Sequence, residues 1–197
     1  GWHYKNVRSR LMGIPTLIKT LTASGDSSLS FVDGASSVVL DSTYDEYMFV
    51  MTDINPATDK AEFGFQVNAT DDAGGGYDTS TIQSTVFRPY HYENDSATDL
   101  AYVAAWDQAN GTAFQILIPD IGNGADECGA GILHLFSPAS TTYVKHFYHI
   151  SNSYQGSDIT ENVFVAGYIN DTTAIDEIQF KMSSGNFDGV IQLFGIS

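Results

Sequence analysis

The chain has 197 residues, of which 43% are hydrophobic, 13% aromatic and only 16% charged, with a net charge of −16. This length supports one domain with a sizeable core and excludes two full-sized ones, while the apolar share excludes a disordered chain. No apolar run approaches the ~18 residues of a membrane-spanning helix and no signal-peptide region is read at the N-terminus; the lone Cys128 excludes an intrachain disulfide and multi-cysteine metal sites.

Residues 1–25 carry Lys5, Arg8, Arg10 and Lys19 and no acid, a local charge of +4. Residues 26–197 hold all 24 acids against Lys60, Arg88, Lys145 and Lys181, a local charge of −20. So acidic a body repels phosphates and anionic lipid, which excludes nucleic acid and membrane surfaces as its partners. The expected organisation is a basic, aromatic arm over 1–15, with Trp2, Tyr4, Leu11, Met12 and Ile14 as apolar anchors, followed by a single β domain over 16–197.

After the arm, short segments rich in branched and aromatic residues predict strands over Thr16–Thr22, Ser37–Asp41, Asp45–Ile54 and Ala61–Asn68. In the last of these Phe63, Phe65 and Val67 alternate with Glu62, Gly64 and Gln66, the period of a half-buried strand. A glycine-rich loop follows, and then Thr81–Glu93, where Pro89 predicts a sheet edge or bulge. Leu100–Trp106 and Ala113–Ile118 flank Asn110-Gly111 and read as a hairpin in preference to a short helix capped at Thr98 or Asp99. Five more strands are expected over Gly131–Phe136, Tyr143–Ile150, Asn162–Ile169, Ala174–Met182 and Val190–Ile196. About a dozen strands with polar turns between them predict an all-β fold, a two-sheet β-sandwich of jelly-roll type.

Chemistry is sparse in this pattern. His146 and His149 stand three apart, so on a strand they face opposite ways and cannot share an ion. His91-Tyr92-Glu93 lacks the Pro-Cys-x-x-Cys partner of a zinc deaminase, and neither a nucleophile elbow, a phosphate loop nor a dinucleotide fingerprint occurs. Glycoside hydrolysis needs two carboxyls on one cleft wall, whereas Glu46, Glu62, Glu93, Glu161 and Glu177 are scattered. The pairs Asp45-Glu46 and Asp176-Glu177 are adjacent and therefore opposed, which leaves only pairs on facing strands. Two acidic loops offer hard oxygen ligands for calcium: Asp120, Asn123, Asp126 and Glu127, and Asp71, Asp72 and Asp78. Neither has EF-hand spacing, and solvated loops are the simpler reading. Acidic neighbours Asp126 and Glu127 should raise the pKa of Cys128. Four Asn-x-Ser/Thr triplets, at Asn68, Asn94, Asn110 and Asn170, carry little weight in so polar a chain. Tyr77, Trp106 and Tyr154 fall in or near loops, where they cover an interface or stack on a sugar. No catalytic, cofactor-binding or metal residue is assigned, and no cofactor is expected beyond loosely held calcium.

Three long stretches, 36–68, 133–154 and 164–196, resemble a family of virion proteins from marine tailed phages and cyanophages. The most specific pieces are Tyr44-Asp45-Glu46-Tyr47, the run Gln179–Asn186, and the ending Gly189-x-x-x-Leu193-x-Gly195-Ile196. The resemblance spans most of 25–197 and leaves the arm out. It implies a non-enzymatic structural protein on the phage particle surface, either a capsid decoration or a tail or fibre appendage. Identical copies and other virion proteins are then its partners, and it carries no catalytic residues to transfer. The alternative is a lectin-like module for host-surface glycan or, behind that, a polysaccharide-degrading enzyme.

Overall fold

A computed structural model describes residues 13–70, 77 and 80–197 of the chain. The expected arm therefore lies outside the described residues up to position 12, as do Asp71, Asp72 and Asp78 of the glycine-rich loop.

The described residues form thirteen strands and no helix. These are β1 (Thr16–Asp26), β2 (Ser28–Val32), β3 (Glu46–Pro56), β4 (Ala61–Ala69), β5 (Ile82–Tyr92), β6 (Thr98–Tyr102), β7 (Ala109–Gly111), β8 (Gln115–Ile121), β9 (Gly129–Phe136), β10 (Lys145–Gln155), β11 (Ile159–Ile169), β12 (Ile175–Met182) and β13 (Phe187–Ile196). All pairings are antiparallel, and every strand belongs to one hydrogen-bonded sheet. Its main path runs β1-β13-β3-β9-β10-β8-β4-β12-β2, and β11, β5, β6 and β7 branch from β10.

The ends of that path are consecutive in sequence. β1 pairs with β13 and, one residue after it ends, β2 pairs with β12, so a single stretch of chain bridges both ends of the curl. On the other side β10 shares a single ladder pair with β8, Gln155↔Ile121. The sheet is thus nearly closed and barrel-like, instead of two separate sheets. Among the described residues β1 and β2 each keep one unpaired edge at the ends of this path, where the curl stops short of closure.

Aromatic rings fill the interior. Phe180 on β12 packs against Phe31, Phe49, Phe63 and Phe65, with ring centres 5.4–6.4 Å apart. Phe65 meets Phe147 of β10 edge-on at 5.1 Å, which links the two sides of the curl. These rings come from β2, β3, β4, β10 and β12, so the core exists only once distant segments have paired.

Three local expectations are corrected. Ser37–Asp41 is not a strand: Ser36 and Ser37 take φ of 51° and 69°, and the Leu40 amide donates to Asp33 Oδ1 at 2.8 Å. A side-chain acceptor there replaces a ladder partner, while Val38 and Leu40 still reach the core. Asn110-Gly111 closes no hairpin; it lies inside β7, which pairs with β5, while β8 pairs with β4 and β6 with β5. Burial of Leu117 and Ile118 against β4 outweighs the local turn preference. Pro89 is not on an edge, because β5 has β11 on one side and β6 on the other. The missing amide is accommodated by a gap, the β5–β11 ladder passing from Glu161↔Tyr90 to Phe164↔Phe87.

Candidate functional site

The inner and outer faces of β10 reverse the usual polarity. Its inward residues are Lys145, Phe147, His149, Ser151, Ser153 and Gln155, all buried, while Tyr148 and Ile150 point out and are 45% and 39% exposed.

Ladder register extends this outer face across the sheet. One row runs Phe194–Met48–His134–Tyr148–Ala166–Thr85. The next runs Gln192–Val50–Ile132–Ile150–Phe164–Phe87–Tyr102. Phe87 and Phe164 stack flat, 4.8 Å between centres, and His134 stacks on Tyr148 at 4.4 Å. Neither row holds a charged residue beyond the histidine. Two carboxylates border them: Glu46, bonded to His134, and Asp107, which accepts from the Tyr102 hydroxyl. Phe87 is 45% and Tyr102 58% exposed. Two shallow hollows flank the Tyr148 ring. The larger, about 430 Å³, lies between Phe136, His146 and Tyr168, and the smaller, about 270 Å³, between Phe87, Ile150 and Phe164. Ala166 floors both.

Behind the face lie polar groups held in the interior. His149 is 1% exposed in a row of Leu193, Phe49, Leu133, Val165 and Val86. Among the described residues neither ring nitrogen reaches hydrogen-bond geometry, although the Ile132 and Leu117 backbones lie nearby. Burial pushes its pKa down to about 3, so the ring is neutral. Glu161 is wholly buried and paired with Arg88, which in turn sits over the rings of Tyr90 and Trp106 at 4.7 and 5.1 Å. Burial pushes the Glu161 carboxyl up and Arg88 pulls it back. Its Oε2, Arg88 Nε and the neighbouring Ser153 Oγ have no hydrogen-bond partner among the described residues.

The sequence candidates are placed as follows. His146 is exposed and His149 buried, as strand alternation requires. His91 bonds to Asp95 at 3.0 Å, and Glu93 falls in the turn after β5. Asp120 lies in electrostatic reach of both Glu62 and Glu161, a juxtaposition that sequence spacing does not reveal. Glu161 points inward and is sealed, whereas Glu62 borders a surface hollow with Phe114 and Lys181, so these two share no cleft. Asp41 and Asp45 border another hollow, but hydrogen bonds from Thr43 hold the Asp41 carboxyl below its usual range, unsuited to a general acid.

In the 120–127 loop the oxygens close local structure. Glu127 accepts from the Gly124 amide, Asp120 from Gln155 at 3.3 Å, and the Asn123 amide donates to Ala57 O at 3.4 Å. No group of three His, Cys, Asp or Glu converges among the described residues. The Cys128 thiol is pushed up by burial and then by Asp53, a different neighbour from those adjacent in sequence. Trp106 is buried on Arg88, and Tyr154 sits in β10 with its hydroxyl 3.3 Å from Asp158. The exposed rings are Phe87, Tyr102 and Tyr148 on strands β5, β6 and β10, together with Tyr143 in the loop before β10, which is 74% exposed. The signal for this was available in Asn162–Ile169, which from Val163 on is apolar on both alternations, the pattern of a strand covered on both sides.

Comparison with family models, with curated proteins and with solved structures returned no match.

Proposed function

We propose that the protein is a non-catalytic structural module of a phage particle, docked at the particle surface as a capsid decoration or tail appendage. Within this reading the curled sheet works as a sandwich of jelly-roll type, with β13-β3-β9-β10-β11-β5 as one layer and β8-β4-β12-β2 as the other. The observation that carries it is the outer face of the first layer. It holds exposed Phe87, Tyr148 and Ile150 in two neutral rows on an otherwise acidic molecule. A contiguous apolar patch of that kind marks a surface meant to be covered by protein. The resemblance of 36–68, 133–154 and 164–196 to phage virion proteins supports the same conclusion.

The test is incorporation. Particles assembled with wild-type chain and with Tyr148→Asp are purified and the copies per particle counted by quantitative mass spectrometry. The expected result is incorporation of the wild type and a several-fold loss for the variant. Absence of the wild-type chain from purified particles overturns the proposal. Glycan-array binding that depends on Phe87 and Tyr102 replaces it with the lectin reading, and release of reducing sugar replaces it with an enzyme.

A further inference from the structure

We propose that the outer face of β3, β9, β10, β11 and β5 packs against the same face of a second copy about a two-fold axis. The Tyr148 ring of each copy then enters a hollow of the other. The proposal rests on the assembly reading above and names the partner for that face.

Shape supplies the first argument. An isologous contact needs one patch that carries both halves of its own complement. Here Tyr148 is a half-exposed ridge, and the hollows of about 430 and 270 Å³ lie on either side of it, both floored by the small Ala166. Knob and hole are thus adjacent on one surface.

Area supplies the second. The rows span seven strands from β13 to β6, roughly 30 Å at the usual inter-strand spacing; with the third row of Glu46, Phe136, His146 and Tyr168, which borders the larger hollow, they cover roughly 20 Å along the strands. The face therefore presents about 600 Å², and two copies bury about 1,200 Å², enough for a specific interface. Face-to-face sheet packing at ~10 Å separation is a standard way to cover two such surfaces.

Charge supplies the third. Each copy has a net charge of −16, which opposes association wherever acids meet. The face is where that repulsion is weakest, because its two central rows lack Lys, Arg, Asp and Glu, and the bordering carboxylates Glu46 and Asp107 are bonded to His134 and Tyr102. A basic partner would instead seek the acidic flanks. Salt dependence follows with a definite sign: screening the residual repulsion tightens the dimer as salt rises, whereas a contact between the basic leader and an acidic body loosens.

The experiment is sedimentation equilibrium on the full chain at low and high sodium chloride, with Tyr148→Asp, Ile150→Asp and, as a control in the turn before β13, Ser184→Asp. Thermal melts confirm that each variant is folded. The expected outcome is a dimer at tens of micromolar, tighter by several-fold at high salt. Tyr148→Asp and Ile150→Asp should each weaken it at least tenfold, and Ser184→Asp should leave it unchanged. A wild-type chain that stays monomeric throughout overturns the proposal, as does a dimer indifferent to both face variants or one that loosens with salt. Should the wild type be monomeric while Tyr148→Asp still lowers particle incorporation, self-docking is overturned and the assembly reading stands. Should the dimer form as described in a protein absent from particles, the assembly reading falls and the dimer remains.

Discussion

His149 shows how much a single side chain decides. A neutral imidazole costs less to bury than an imidazolium, so the fold holds the ring unprotonated with a pKa near about 3, against 6.5 in the unfolded chain. Between those values the unfolded state binds a proton that the folded state refuses. Stability from this group is complete above pH 6.5 and falls as the pH drops toward 3, by at most about 1.4 kcal/mol per pH unit. His149→Leu should remove that slope and be neutral or stabilising at pH 7. Urea midpoints of both proteins from pH 4 to 8 check this, since the difference between them isolates His149 from Glu161, whose raised pKa acts in the opposite sense. Parallel acid curves for the two proteins would refute it. The Arg88–Glu161 pair makes a second residue-scale case. Glu161 is sealed from solvent, so Arg88→Leu strands a buried carboxylate and should cost about 3–5 kcal/mol. The double change Arg88→Leu, Glu161→Leu should recover much of that loss, which a double-mutant cycle in urea measures.

Strands in this protein are chosen by partners far away in sequence. Phe180 touches rings from β2, β3 and β4, so shortening it to alanine opens a cavity between elements that share no local contact. Phe180→Ala should cost about 3–5 kcal/mol, read as a fall in urea midpoint with unchanged slope. Asn110-Gly111 teaches the same lesson from the other side. A two-residue turn motif is worth little when β8 gains a buried ladder with β4, which leaves β7 to pair at the surface with β5. The leader is the exception among elements, because its reading rests on charge and anchors in the sequence alone. Deleting residues 1–15 should leave the sheet folded, β1 beginning at Thr16, while lowering particle incorporation. Unchanged incorporation of the shortened chain would reduce the leader to a terminus.

At the scale of the whole molecule, the all-β class and most strand positions were legible because period-2 alternation and turn residues are local signals, while β2 was not read and Ser37–Asp41 was read as a strand it does not form. Ala61–Asn68 and Val190–Ile196 lie within β4 and β13 for that reason. The neutral outer face was not read in advance, although β11 displays it as apolar residues on both alternations from Val163 on. Knowing which strands lie side by side is what turns separate residues such as Met48, Tyr148 and Phe87 into one patch.

Composition and pattern alone therefore determined that this chain builds strands, keeps an acidic exterior and separates His146 from His149 across a sheet. These follow from side-chain chemistry and backbone geometry within a few residues. Only the tertiary structure decided that one sheet curls nearly shut, that Arg88 meets Glu161 across 73 positions, and that β2 and β1 close the curl by serving different partners. Such pairings are selected by burial of aromatic surface against the entropy of closing long loops, a balance set by the whole core and not written in any one segment.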